Sequence, residues 1–112
     1  MRKKVELTFN PKDHKAVLGL RGRFTLEDKE VFQNFVDQYV DGSHDILVLD
    51  MSQLEFIDSA GIGDLIKLKM GPAKDYKKLY VMGLQDAVER VFRVSGLIQL
   101  FDSVTAAELD SL

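Results

Sequence analysis

Asp45-Ile46-Leu47-Val48-Leu49-Asp50-Met51, then Ser52-Gln53-Leu54-Glu55-Phe56-Ile57-Asp58, then Ser59-Ala60-Gly61-Ile62-Gly63 is the passage on which the fold turns. Its first seven residues form a nearly continuous apolar run closed by polar residues. That is the pattern of a strand covered on both faces, and hence of a central parallel strand. Residues 52–58 are expected to be the loop that leaves it. From Ser59 the spacing becomes helical, with Ile62, Leu65, Ile66 and Met70 on one side, until Gly71-Pro72 interrupts it. A buried strand that feeds a helix through a short polar segment is the repeating step of an α/β fold.

Working outward toward the N-terminus, Val5, Leu7 and Phe9 alternate with Glu6 and Thr8 as in a half-buried strand. Asn10-Pro11-Lys12-Asp13 supplies a turn, and residues 15–21 form the hairpin partner. From Thr25 the period changes: Val31/Phe32, Phe35/Val36 and Tyr39/Val40 recur every four residues and mark one face of a helix. Thr25 and Asp28 fit a capping box, Glu27, Asp28 and Glu30 suit the positive end of the helix dipole, and Gly42 is a natural stop. On the C-terminal side, residues 79–84 read as a second buried strand. Residues 86–94 read as a helix with Val88, Val91 and Phe92 inward, stopped by Gly96. A short strand or turn near Leu100 and Phe101 precedes a last helix from about Thr105. The order ββαβαβα, a short element and a final helix predicts an α/β sandwich, with a mixed β-sheet and about four helices in one domain over residues 1–112. Leu47, Leu49, Ile62, Leu65, Ile66, Val81, Val88, Val91 and Phe92 are expected to share its core.

Composition narrows what such a domain does. Apolar residues at 46% and charged residues at 29% are globular proportions. Without cysteine, disulfides and thiolate catalysis are excluded. The basic start, Met1-Arg2-Lys3-Lys4, leads into alternating sequence with no apolar stretch of signal-peptide length, and no segment approaches the ~20 apolar residues of a membrane span. A cytoplasmic chain without membrane insertion is expected. Fifteen basic against eighteen acidic residues give a charge of −3, the wrong sign for a nucleic-acid partner. His14 and His44 stand thirty residues apart in turn-like surroundings, a spacing that makes no metal site. Gly61 and Gly63 lack the Lys and Ser/Thr of a P-loop, and Ser59 has only Asp58 adjacent and no Gly-x-Ser-x-Gly elbow around it. No catalytic residue, metal or cofactor is therefore expected. Lys67, Lys69, Lys74, Lys77 and Lys78 make the region after Ser59 basic, a feature that would attract an acidic partner, nucleic acid or anionic lipid, with a solvated helix end complementing its own dipole as the default reading.

The junction at Asp58 and Ser59 has two short polar side chains and two glycines where backbone N–H groups are unpaired. Taken alone, that is a capped helix start with room for close packing. The longer stretch LVLDMSQLEFIDSAGIGDL resembles the signature of the STAS-domain anti-sigma-factor antagonists. The resemblance extends to Arg21-Gly22, to residues 79–83, and from Val91 through Ser95-Gly96-Leu97 to Leu100-Phe101, and so covers nearly all of the chain. It implies a STAS-like sandwich and a non-enzymatic role, with Ser59 as phospho-acceptor for an anti-sigma-factor serine kinase. The unphosphorylated form would bind that kinase and release a sigma factor, with a serine phosphatase as a second partner and the chain a monomer or weak dimer. The partner surface it implies comprises Arg23, Phe24, Asp58, Ser59, Ala60, Gly61, Ile62 and Gly63.

Three departures bear on that transfer. Family members often have Gly-Glu-Leu-Asp where this chain has Gly22-Arg23-Phe24-Thr25, which replaces acidic groups near the partner and nucleotide surface. Asp64 stands where the family is usually apolar or small, and Pro72 falls where the second helix normally continues. The alternatives within the fold are a scaffold subunit of a stress-sensing complex and an accessory subunit of a lipid transporter. A nucleotide-hydrolysing enzyme is the more distant rival.

Overall fold

The computed structural model describes residues 3–112; Met1 and Arg2, the first residues of the basic start, lie outside the described residues. Strands β1 (Glu6–Lys12), β2 (Lys15–Phe24), β3 (Ile46–Ile57), β4 (Lys78–Met82) and β5 (Asp102–Val104) form one sheet in the order β1-β2-β3-β4-β5. Only β1 is antiparallel to its neighbour; the other pairs are parallel. The sheet is mixed, as the element order implies, and β3 sits at its centre. The hairpin turns at Asp13-His14, with Asp13 at φ 59. Asn10, Pro11 and Lys12, expected in the turn, instead extend β1, where Pro11 pairs with Ala16. An edge strand tolerates a proline because one of its sides needs no donor.

Helices α1 (Lys29–Tyr39), α2 (Ser59–Met70) and α3 (Asp86–Val94) bring Phe32 and Val36, Leu65 and Leu68, and Val88 and Phe92 into one cluster with Ala16, Leu18, Leu20, Leu47, Leu49 and Val81 of the sheet. Alternation along the strands sends Val48, Met82 and Val104 to the opposite face. There Leu109 and Leu112, from the short helix α4 (Ala106–Leu109) and just beyond it, pack on them. Leu47, Val48 and Leu49 are thus covered on both sides, as the apolar run predicts.

Two further expectations are corrected. Residues 52–57 are strand, not loop: β3 continues to Ile57, which pairs with Phe24 at the end of β2. Register shifts opposite Gly19/Arg21 and Gly22/Arg23 bend this half of the ladder, so that Met51, Leu54 and Ile57, three residues apart, all reach the core. On α2, Ile66 and Met70 are exposed, while Gly61, Asp64, Leu65 and Leu68 are buried. That i, i+3, i+4, i+7 stripe is the helix's inner face, and it contains a carboxylate. Helix α2 ends at Met70, ahead of Pro72, whose ring would clash with the preceding turn.

Candidate functional site

Extending β2 and β3 to Phe24 and Ile57 places the starts of α1 and α2 side by side. Asp58 joins them. Its backbone N–H donates to the Phe24 carbonyl (3.2 Å), one carboxylate oxygen accepts from Gly61 N–H (2.9 Å), and the other accepts from Leu26 N–H (3.1 Å). Asp58 is therefore the N-cap of α2, and the same side chain ties down the entry to α1. Ser59, the first residue of the helix, is exposed and takes no part in these bonds.

Gly61 is required by contact. A Cβ there would lie 2.8 Å from both the Phe24 carbonyl oxygen and Ile57 Cγ1, whereas a Cβ at Gly63 would meet nothing within 4 Å. Close packing thus accounts for the first glycine and not for the second. Arg23 lays its guanidinium over the Phe56 ring, 4.2 Å from the centroid, a cation–π contact at the surface. Leu26, 67% exposed, and Phe56, 38% exposed, add apolar area on the segments leading into the two helices.

Of the residues expected on a partner surface, Arg23 and Ser59 are exposed, and Asp58, Ala60, Ile62 and Gly63 are half-buried. Phe24 and Gly61 are corrected: both are buried, Phe24 with its ring 4.7 Å from that of Phe32, so they shape the surface from beneath. Leu26 and Phe56 were not singled out by the sequence. The outward phase of Phe56 is hidden by the register shift, and nothing local marks Leu26, whose N–H bonds to a residue 32 positions away. Elsewhere, His14 lies in the β1–β2 turn and His44 sits edge-on to Phe9, ring centroids 6.3 Å apart. Lys77 and Lys78 face Asp45 (3.6 Å) and Asp102 (4.0 Å).

The inner face of α2 contains Asp64, 4% exposed, whose Oδ2 has no hydrogen-bond partner. Burial raises its carboxyl pKa above the ordinary value, the nearby Lys29 and Lys67 ammonium groups pull it back, and Asp58 raises it further. Among the described residues no helix is long and apolar enough to cross a membrane.

A mixed sheet with helices α1 to α3 on one face and a helix start at which Asp58 caps and Ser59 is exposed defines an α/β domain of the STAS type. The family described as "Mlab, STAS domain" matches residues 7–102, and the chain belongs to the STAS domain family. It is 29% identical over 70 residues to an anti-sigma-B factor antagonist of Staphylococcus aureus, a match covering 62% of this chain and 64% of that protein. Among solved structures, an anti-sigma factor antagonist from Mycobacterium paratuberculosis superposes with a TM-score of 0.78 at 21% identity, covering 88% of this chain and 84% of that one. The Bacillus cell fate determinant SpoIIAA in its phosphorylated form gives 0.69 at 17% identity, covering 95% and 97%. At those identities the two structures establish the shared fold.

Proposed function

We propose that this chain is an anti-sigma-factor antagonist, a regulatory binding module whose docking surface is centred on the start of α2 and is switched by phosphorylation of Ser59. The observation that carries the proposal is the division of roles between neighbours: Asp58 does the capping, which leaves the exposed Ser59 available for modification. The S. aureus antagonists and a SpoIIAA fold-mate known in a phosphorylated form support this reading. Unphosphorylated, the surface around Ser59, with Arg23, Leu26 and Phe56 at its margin, docks on an anti-sigma-factor serine kinase and frees a sigma factor. Transfer of the γ-phosphoryl group of ATP to Ser59 Oγ, with ADP leaving, adds about −1.5 to −2 charges. The helix start tolerates an anion because its dipole and unpaired amides favour one. A tight interface does not, because the phosphate sits beside the Asp58 carboxylate and would have to be desolvated there. A serine phosphatase resets the switch.

The test is to incubate the chain with a candidate kinase and ATP and to measure intact mass and partner affinity for wild type, Ser59→Ala and Ser59→Asp. One phosphate on wild type only, constitutive binding by the Ala variant and a folded, weakly binding Asp variant are expected. Equal affinities for all three proteins, or no phosphate at Ser59, would overturn the switch. Arg23, in place of an acidic residue, favours a second reading in which the same surface seats an accessory subunit on a lipid-transporter ATPase or a stress-sensing scaffold. Recovery of a transporter ATPase instead of a serine kinase in a pull-down would select it.

A further inference from the structure

We propose that the groove between α1 and α2 receives a guanidinium or ammonium side chain projecting from a partner protein, with Asp64 as its anionic anchor. The groove encloses about 190 Å³. Phe32, Val36 and Leu68 form an apolar floor suited to a methylene stem, and Gln33, Asp37 and Asp64 supply acceptors for a cationic head. What separates Asp64 from an ordinary surface carboxylate is its burial at 4% exposure with Oδ2 unpartnered.

A buried carboxylate without a donor is unfavourable on its own account, so its presence calls for a function or a partner. The chain meets the same problem differently at Asp28, fully buried, where Val5 N–H (2.9 Å) and Thr25 N–H (2.8 Å) donate to the two oxygens. The cations near Asp64 do not complete it. Lys29 and Lys67 act on it through space and on each other, Lys67 having its pKa lowered by Lys29, and Oδ2 remains without a bond. Oδ2 itself is closed off from solvent, so a donor entering the groove that Asp64 lines completes the carboxylate by turning the Asp64 side chain outward, and arginine fits best, since its planar fork can span two carboxylate oxygens. Asp64 follows Ser59 by five residues, about 7.5 Å along the helix axis. A partner seated at the start of α2 thus extends naturally into the groove. The inference stands on the groove itself and not on the phosphorylation of Ser59.

The test uses the purified chain and N-acetyl-arginine methylamide, followed by backbone amide chemical shifts. Saturable shifts centred on Gln33, Asp37, Asp64 and Lys67 are expected. The neutral citrulline analogue and the Asp64→Asn variant should each bind about tenfold more weakly or worse. Lys67→Met, which removes a competing cation, should tighten binding. Shifts that are absent, that survive Asp64→Asn unchanged, or that weaken in Lys67→Met would overturn the proposal. Spermidine binding in the groove where the arginine amide does not would also overturn it, by identifying a free polyamine as the occupant. Circular dichroism of both variants checks that they are folded, and no outcome depends on the kinase.

Discussion

Helices α1 and α2 enter the same face of the sheet side by side, yet their polar groups are treated in opposite ways. The 3-10 turn Leu26–Asp28 that leads into α1 is closed: Thr25 and Asp28 form a reciprocal capping box on it, and Asp28 also accepts from Val5 N–H, tying the approach to β1 to this turn. At the start of α2 the cap is filled by Asp58, but Ser59 is left outward, Gly63 faces open space and Asp64 is buried one bond short. On the proposed function, the difference divides stability and function between the two helix starts. A closed network holds one conformation, whereas a surface with a spare hydroxyl and an unpartnered acceptor is prepared for something that comes and goes.

The largest effect expected from this contrast is at α1. Asp28→Ala leaves two backbone donors, one of them buried, without acceptors and removes a cap. It should cost about 3 kcal/mol by urea denaturation. A loss below about 0.5 kcal/mol, the range of surface substitutions, would erase the distinction between the two helix starts. Next in size is Gly61→Ala, whose methyl group would collide with the Phe24 carbonyl and Ile57, at a cost of about 1 to 3 kcal/mol. Two residues further on the sign should reverse. Gly63→Ala has open space and should gain up to about 1 kcal/mol of helix propensity. A Gly63→Ala protein that is more stable but binds its partner poorly would place the partner on that turn.

Much of this was legible in the sequence, and the misses have particular causes. The period of residues 31–40, the apolar run at 46–49 and the capping box at Thr25 all obey local rules, and all three are present. The second half of β3 was hidden because its register shifts break the two-residue alternation by which a strand is recognised. On α2 the inner face was misassigned for a chemical reason: Ile66 and Met70 are apolar and exposed, while Asp64 is charged and buried, so hydrophobicity pointed to the wrong stripe. At the site, Asp58 and Ser59 were recognisable as a helix start. Which of the two caps it depends on the Asp58 carboxylate reaching both Gly61 and Leu26, and the second of those bonds spans 32 residues.

The buried carboxylate gives a smaller effect with a definite pH signature. Because burial raises the Asp64 pKa in the folded chain, the fold prefers the protonated form, and ionisation works against folding as pH rises. Well below the ordinary Asp value of about 3.9 the group is protonated both folded and unfolded, and Asp64→Asn should match wild type. As pH climbs through the raised folded pKa, the variant should pull ahead, levelling off at about 1 kcal/mol, the low end for relieving an uncompensated buried charge. Denaturation midpoints of both proteins between pH 3 and pH 8 would show it. A variant that loses ground with rising pH would mean that Asp64 is paired in solution, and the contrast with Asp28 would disappear.

The smallest effect is the most discriminating. If Ser59 were the cap of α2, Ser59→Ala would cost about 1 kcal/mol. With Asp58 accepting from Gly61 N–H, the hydroxyl of Ser59 is not needed for that bond, and the loss should stay within about 0.5 kcal/mol. Asp58→Ala, by contrast, should cost about 1 to 2 kcal/mol, because it frees donors on both Gly61 and Leu26. The two variants are adjacent in sequence, and the same denaturation experiment compares the loss of a hydroxyl with the loss of a capping carboxylate. A near-silent Ser59→Ala has a further use. Any change it makes in partner binding can then be assigned to the loss of the hydroxyl at the interface, because the folded fraction will be the same as in wild type.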